Sequence, residues 1–535
     1  MSELPMNSLV CPLLTDMYQI SMTYAHWKNG RTNDHGVFDI FFRKNPFQGE
    51  FCIFAGLDEV IKFLASFKFS ESDIEYLKTI LPKAESDFFE YLKTLDCKNV
   101  KLYAMAEGTL CFPKEVLIRI EAPLSIGHLL ETTTLNLINY PSLIATNAVR
   151  MRLAAGPGKV LLEFGLRRAQ GPDGAMSASK YSYIGGFSGT SNVLSGKLCG
   201  LPVKGTHAHA YVMSYQSLRE LCKTTITSPT DPNVELEFLQ VVLEKQKLLP
   251  FSRGNEGELA AFTAFAQAFP SGLVALVDTY DTLGSGIPNF LAVSWALLEV
   301  GYKAIGIRLD SGDLAYLSRK AREMFKEVDK LTNSTNFGKL QIVASNDINE
   351  DILVSLNNEG HEIDSFGIGT HLVTCQKQPA LGCVYKLVEV NGCPRIKLSQ
   401  ELEKLVIPGR KVVYRLFGAD GKPLIDVMQL HDEEPPKIGE RMLCRHPFIE
   451  NKRANVVPSS VQILLELAWD GEKGFIGKNK TMDEKRDYCK QQIDTIRADH
   501  VRSTNPTPYK ISVSEHLYDF IHKMWMENAT IAELC

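Results

Sequence analysis

Apolar and polar positions follow two rhythms along this chain, and the change falls near residue 160. Before it the pattern is mixed. Leu13 to Trp27 carries apolar residues at helical spacing, with Thr15, Asp16 or the residues before them placed to cap a helix. On local grounds Tyr18 belongs to the core side of that helix. Phe38-Asp39-Ile40-Phe41-Phe42-Arg43 alternates like a strand, and Ala55 to Phe67 aligns Leu57, Val60, Ile61 and Leu64 on one helical face. Lys101 to Met105 and Val116 to Glu121 predict strands around the turn signals Gly108 and Pro113, hence a small sheet domain. A helical stretch from about Ser125 to Ala154, interrupted near Pro141, leads out of it.

From Val160 the rhythm becomes strand, loop, helix. Val160 to Phe164 predicts a strand, followed by a small-residue helix to about Leu198. Leu201 to His209 predicts the next strand, and helices run through about Phe269 after a polar excursion at Thr224 to Asn233. Strand and helix then pair as Leu273–Val277 with Ile287–Val300, Lys303–Ile307 with Leu314–Val328, and Leu340–Val343 with Asn349–Asn357, before a strand at Ile363–Ile368. Such alternation predicts a parallel β/α barrel of irregular build. After Thr370 it stops. Gly382 to Val388 and Lys411 to Phe417 read as strands, Glu433-Glu434-Pro435-Pro436 as a surface loop, and Val461–Leu467 and His516–Trp525 as helices. Glu484-Lys485-Arg486 reads as a solvated charged loop. The predicted fold class is therefore α/β, an irregular parallel β/α barrel packed beside a smaller α+β sheet domain. Residues 1–158 form the helix and open-faced sheet, 159–375 the barrel, and 376–535 strands and helices that pack back on both. No repeat of solenoid period is present.

Composition narrows this picture. A chain of 535 residues exceeds one typical core, and 44% hydrophobic with 23% charged residues is ordinary for a globular protein. The 58 basic and 63 acidic residues leave a net charge of −5, which argues against a nucleic-acid binder. Met1-Ser2-Glu3-Leu4-Pro5 has no basic or long apolar leader, and no run approaches the roughly 18 apolar residues of a membrane span. The 12 cysteines contain no CxxC pair, so free thiols in a reducing cytosol are expected, with Cys535 exposed at the end.

The chemistry gathers where strands stop. Lys204-Gly205-Thr206-His207-Ala208-His209-Ala210 follows an apolar lead-in, and its two histidines share a side if the strand continues. Val277 to Asp281, Ile307 to Asp313, Ala344 to Asp347 and Phe366 to Thr370 share that grammar, an apolar run ending in polar or glycine-rich sequence. In a parallel β/α array these ends collect on one face. Arg167-Arg168, ahead of Gly171-Pro172-Asp173-Gly174, forms either solvated surface or an anion clamp. Arg308 and Asp310 lie two apart and share a face, as a structural ion pair or as a site for an anion and sugar hydroxyls with a metal nearby. Asp313 is placed to cap a helix. Gly367-Ile368-Gly369-Thr370 can bring backbone N–H groups and a hydroxyl to a phosphate, and Lys386 can reach the same anion. No hydrolase elbow or zincin motif is present.

Pro12 to Gln19, Leu162 to Gly174, Gly205 to His209, Ile307 to Leu314 and Phe366 to Thr370, in collinear order, resemble the nicotinate phosphoribosyltransferase family. The resemblance implies the type II phosphoribosyltransferase architecture and a head-to-tail homodimer with shared sites. It implies conversion of nicotinate and phosphoribosyl pyrophosphate to nicotinate mononucleotide and pyrophosphate, coupled to ATP hydrolysis through a phosphohistidine and assisted by Mg²⁺ (or Mn²⁺). By the same resemblance His209 is the phosphorylated histidine and His207 only its neighbour. Asp310 and Asp278 join His209 as catalytic candidates, with Asp310 also metal-linked. Tyr18, acting from the other subunit, Thr206, Arg308, Gly367, Gly369, Thr370, Arg167, Phe164 and Lys386 are substrate contacts. Ser191 stands where amide-using relatives carry Asp, and a neutral residue there suits a carboxylate substrate. Rival readings are a Schiff-base lyase using Lys204, a non-catalytic nucleotide binder, and an enzyme for nicotinamide or quinolinate.

Overall fold

The computed structural model describes residues 5–399, 401 and 404–529; Met1 to Leu4 and Cys535 lie outside them. By contact the chain divides into two compact units. The larger comprises Met1–Val149, Tyr181–Gly186 and Cys375–Cys535, and the other Arg150–Lys180 and Phe187–Thr374.

In the larger unit, strands from both ends of the chain share one sheet. Its order is Cys393–Pro394, Cys383–Val390, His35–Phe42, Ile118–Pro123, Lys101–Ala104, Glu466–Asp470 and Gly474–Phe475, with antiparallel neighbours. His35–Phe42 is central and buried from Gly36 onward, so its near-continuous apolar run has both faces covered. A second, six-stranded sheet includes Lys411–Phe417, Pro423–Leu430 and Ile511–Ser514.

Several local expectations change here. The first helix is Met17–Lys28, beginning four residues later than Leu13, because Asp16 and Gln19 form a capping box. Tyr18 is 48% exposed and is not core. Pro141 does not interrupt its helix; the break falls at Leu130, between Leu124–Leu129 and Glu131–Ala155. Pro141 deprives the Leu137 carbonyl of its helical donor. That oxygen lies against Gly56, where a Cβ would stand 2.1 Å away and φ is +105°. Val461–Leu467, expected as a helix, is two strands, Ser460–Ile463 and Glu466–Asp470, each recruited by a sheet edge. Glu484 to Arg486 lies inside the helix Met482–Thr495, capped by Thr481 and Glu484, not in a solvated loop. Lys485 is buried and pairs with Glu107 Oε2 at 2.8 Å and with Asp58. A charge run looks solvated until a distant segment supplies its counter-ions.

The second unit carries an all-parallel sheet ordered Val274–Leu276, Gly306–Leu309, Gln341–Ala344, Ser365–Ile368, Val160–Glu163, Gly189–Thr190. The small-residue stretch to Leu198 is not one helix. It splits into Gly171–Ile184, the short strand Gly189–Thr190 and the helix Val193–Cys199. The expected strand through His209 is reduced to one parallel bridge, Thr190 with Val203. Beyond it the backbone finds no ladder partner until Ala208 caps the helix His209–Val212. The two histidines therefore part company. His207 is buried, and its Nε2 accepts the Leu276 N–H at 3.4 Å on the far edge of the sheet. Asp313 caps Leu314–Thr332 by accepting from the Tyr316 N–H at 2.9 Å.

Lys485→Met leaves Glu107 buried without its cation. We expect a loss of about 3 kcal/mol in urea unfolding of the protein, partly restored by Glu107→Gln on the same chain.

Candidate active site

Every strand of the parallel sheet ends on the same side, and Asp278, Arg308, Asp310 and His209 come together there. At the centre is a pair of carboxylates at the ends of adjacent strands. Asp278, two residues past Val274–Leu276, has a buried side chain. Its Oδ2 accepts the Asp310 backbone N–H at 3.0 Å and the Ser311 hydroxyl at 2.5 Å. Its Oδ1 is buried with no hydrogen-bond partner among the described residues. That oxygen faces His209 Nε2 at 4.0 Å, and Asp310 Oδ2 lies 3.6 Å from the same nitrogen. The other ring nitrogen of His209, Nδ1, is 3.1 Å from Thr279 Oγ1.

Arg308 is set by three neighbours. Its Nε donates to Ser345 Oγ at 2.7 Å and its Nη2 to Asp310 Oδ1 at 3.4 Å. Its guanidinium carbon stands 5.7 Å from the centre of the Phe164 ring. Phe164 in turn fills the space above Gly367, where a Cβ would meet Phe164 Cδ2 at 2.3 Å. Gly367 thus lacks a side chain to make room for that ring. Gly369 is less confined, with a Cβ 3.2 Å from the Phe164 carbonyl, and Thr370 opens the short helix Thr370–Thr374.

Glu163 holds the turn that presents Phe164. It is buried, and its carboxylate accepts from Ser179 Oγ at 2.7 Å, Thr190 Oγ1 at 2.5 Å and the Gly165 N–H. Arg167 and Arg168 follow on the exposed turn Leu166–Arg168 and form no ion pair or side-chain hydrogen bond among the described residues. Ser191 donates its N–H to the Glu163 carbonyl at 2.9 Å, and the Thr206 hydroxyl donates to the His207 carbonyl at 3.2 Å. Burial holds the His207 ring pKa down to about 4, so it is neutral and part of the packing against Phe265. Lys204 is exposed, unlike the desolvated lysine that a Schiff-base enzyme needs.

Tyr18 and Lys386 are in the larger unit. There they gather around Glu131, whose pKa burial raises and Lys386 and Tyr18 hold down. Lys386 is half-buried, and burial lowers its own pKa against the pull of Glu131.

Ser345, Thr279 and Glu163 carry structural weight at the site, and sequence reading assigned them no role. Ser345 lies within the strand-end stretch Ala344 to Asp347, but its hydroxyl has meaning only beside Arg308 and Asp310. Among the described residues no three His, Cys, Asp or Glu side chains form a metal cage. Magnesium commonly needs only one or two carboxylates with substrate phosphates, and the unpartnered Asp278 Oδ1 beside Asp310 Oδ2 suits that mode.

A guanidinium against an aromatic face, with a histidine and two carboxylates at the ends of a parallel sheet, makes a polar α/β site able to pair an anion beside an aromatic surface. Models of the nicotinate phosphoribosyltransferase family match in three parts: its N-terminal domain at residues 13–139, the family itself at 160–419, and its C-terminal domain at 410–521. The chain is 53% identical over 539 residues to nicotinate phosphoribosyltransferase 2 of Arabidopsis thaliana, covering 99% of this chain and 97% of that one. It is 42% identical over 522 residues to nicotinate phosphoribosyltransferase of Homo sapiens, covering 96% of each. The crystal structure of human nicotinic acid phosphoribosyltransferase superposes with a TM-score of 0.86 at 38% identity, over 95% of this chain and 99% of that one. The chain belongs to the nicotinate phosphoribosyltransferase family and is an enzyme of that kind.

Behind the Asp278 strand end lies a further carboxyl. Glu258 is fully buried; its Oε2 accepts from Ser285 Oγ at 2.6 Å and Asn289 Nδ2 at 3.1 Å, and its Oε1 has no hydrogen-bond partner among the described residues. Burial first, then the charges of Asp278 and Asp281, raise its pKa from 4.5 to about 7. The folded chain then holds a proton that the unfolded chain releases, so stability falls as pH rises from about 4.5 through about 7. Glu258→Gln should remove most of that decline, so that between pH 5 and 8 the variant gains about 2 kcal/mol relative to the parent in unfolding free energy from denaturant titrations.

Proposed function

We propose that the chain joins nicotinate to 5-phosphoribosyl 1-pyrophosphate, forming nicotinate mononucleotide for NAD biosynthesis, and that ATP hydrolysis drives the step through a phosphohistidine at His209. The observation that carries the reading is Arg308 poised over the Phe164 ring. A pyridine carboxylate needs an aromatic surface for its ring and a fork of donors for its acid, and these two side chains supply both. Ser191 is neutral, so no fixed charge from it opposes a carboxylate substrate.

In the transfer the pyridine nitrogen bonds to C1′ of the ribose as the C1′–O bond to pyrophosphate breaks. The electron pair leaves on pyrophosphate, the ring nitrogen becomes quaternary, and no proton moves. Positive charge builds on the sugar, and the carboxylates of Asp278 and Asp310 favour it. Gly369 and Thr370 receive the ribose 5-phosphate, and the unpaired Arg167 and Arg168 draw in the remaining phosphate charge. Thr206 is assigned to the same substrate. Asp278 and Asp310 would hold Mg²⁺ (or Mn²⁺), which neutralises phosphate charge when bound.

For the coupling step, His209 takes the tautomer in which Nδ1 keeps its proton and donates a hydrogen bond to Thr279 Oγ1, which leaves the Nε2 lone pair free for phosphorus. The Nε2–P bond forms as the bond from the γ-phosphorus to the bridging oxygen breaks, and ADP departs; water then cleaves the N–P bond, releasing phosphate and restoring the imidazole. We further propose an irregular barrel, because the Val203 bridge and the His207 cap on Leu276 carry the chain from one sheet edge to the other. A head-to-tail homodimer accounts for Tyr18, exposed on its helix, as a contact to a partner's site. A cytosolic location agrees with the absence of disulfides among the described residues, and no helix described is long and apolar enough to cross a membrane.

A pyrophosphate-release assay with nicotinate, nicotinamide and quinolinate, each with and without ATP, tests the reading. Nicotinate should be preferred and ATP should stimulate; strong preference for either rival substrate overturns it. Arg308→Lys keeps the charge but loses the fork, and nicotinate affinity in calorimetry should fall by about 1–3 kcal/mol. His209→Ala should lose the acid-labile label from γ-labelled ATP while slow ATP-independent transfer survives. His207→Ala should keep that label, and loss of the label only in His207→Ala would falsify the assignment.

A further inference from the structure

We infer that Ser345 is a positioning residue that keeps Arg308 open to a carboxylate and so sets the preference for an acid over an amide; the inference rests on the nicotinate reading above. The strands Gly306–Leu309 and Gln341–Ala344 run parallel, with Leu309 opposite Ala344. The Ser345 N–H donates to the Leu309 carbonyl at 2.9 Å and extends the ladder by one residue. That register sets Ser345 beside Asp310 and, by alternation, on the face that Arg308 and Asp310 share.

Its hydroxyl bridges the two side chains. Oγ accepts from Arg308 Nε at 2.7 Å and donates its one proton to Asp310 Oδ1 at 2.6 Å. Nε and one carboxylate oxygen are atoms that a side-on, two-bond arginine–carboxylate pair would use. With Ser345 between them, the direct contact between Arg308 and Asp310 is a single one of 3.4 Å from Nη2 to Oδ1. The guanidinium makes no other hydrogen bond among the described residues and keeps its place over Phe164. Asp310 in turn keeps Oδ2 directed at His209 Nε2, 3.6 Å away.

Without the hydroxyl, Arg308 and Asp310 are free to close into a bidentate pair. Asp310 would then satisfy the cation internally. A substrate carboxylate would have to displace a fixed one, whereas a neutral amide depends less on the charge of Arg308. The loss should therefore fall on binding of the acid rather than on turnover, and more on the acid than on the amide.

The test compares Ser345→Ala and Ser345→Thr with the parent in steady-state kinetics, using nicotinate and nicotinamide at saturating phosphoribosyl pyrophosphate and ATP. Ser345→Ala should raise KM for nicotinate roughly tenfold, the scale of a lost hydrogen bond to a charged group, with kcat changed far less. The nicotinate-to-nicotinamide ratio of kcat/KM should fall by a similar factor. Ser345→Thr, which restores the hydroxyl, should return both toward the parent. Equal losses for the two substrates, a loss confined to kcat, or no rescue by Ser345→Thr would overturn the inference. A parent enzyme that does not favour nicotinate would instead overturn the reading beneath it. Should Ser345→Ala fail to fold, judged by its melting curve, Ser345→Cys replaces the hydroxyl by a weak thiol donor at nearly the same size. It carries the same KM expectation, and parent-like KM and selectivity in that variant count against the inference.

Discussion

The two hydrogen bonds that Asp278 Oδ2 accepts, from the Asp310 N–H and the Ser311 hydroxyl, tie the ends of two adjacent strands together. The rest of the site depends on that junction. It fixes the backbone at Asp310, and with it the direction of the Asp310 side chain. It turns the second oxygen of Asp278 toward His209, where it is buried and without a hydrogen-bond partner. A buried carboxylate oxygen in that state is costly unless a cation or a proton donor meets it. The site thus holds negative charge ready for a positively charged partner, whether a metal, a developing oxocarbenium centre or a histidine proton.

Strand register does similar work at Arg308. Parallel pairing aligns Arg308 with Val343 and Leu309 with Ala344, so successive strand ends present their side chains at nearly one level. Glycines then decide where rings can lie. Gly367 yields its side-chain space to Phe164, and Gly165 lies so close to Val373 that a Cβ would stand 2.3 Å from Cγ1. The buried Glu163 adds three acceptor contacts behind the same turn. Sheet geometry, close packing and one carboxylate network together hold an aromatic face against a cation.

The larger unit relies on buried charge to join distant parts of the chain. Arg415 pairs with Asp426 at 2.6 Å and also donates to the Leu110 carbonyl, while Lys411 pairs with Asp39 at 2.7 Å. Lys485 joins a late helix to Glu107. Such pairs add little net stability over apolar replacements, but breaking one leaves an uncompensated charge, so each penalises a wrong register. The pairs Lys411–Asp39 and Lys485–Glu107, and the bond from Arg415 to the Leu110 carbonyl, connect C-terminal strands and helices to N-terminal segments hundreds of residues away in sequence.

Short-range order was legible in the residues themselves. Apolar runs ending in polar sequence located the strand ends around Asp278, Arg308, Ser345 and Gly367, because burial in a parallel sheet demands such runs and strand termination demands their end. The two-residue spacing of Arg308 and Asp310 already implied a common face, and Asp313 already read as a cap. What sequence could not decide was every outcome set by a partner far along the chain. His207 and His209 look equivalent until one meets the Leu276 N–H and the other meets two carboxylates. Lys485 looks solvated until Glu107 and Asp58 arrive, and Val461 to Leu467 looks helical until two sheet edges claim it. Ser345 is one serine among many until parallel pairing sets its hydroxyl between a guanidinium and a carboxylate. Local propensity is a property of neighbours in sequence, whereas desolvation, counter-ions and hydrogen-bond partners come from tertiary packing, and those alone determine what each polar side chain can do.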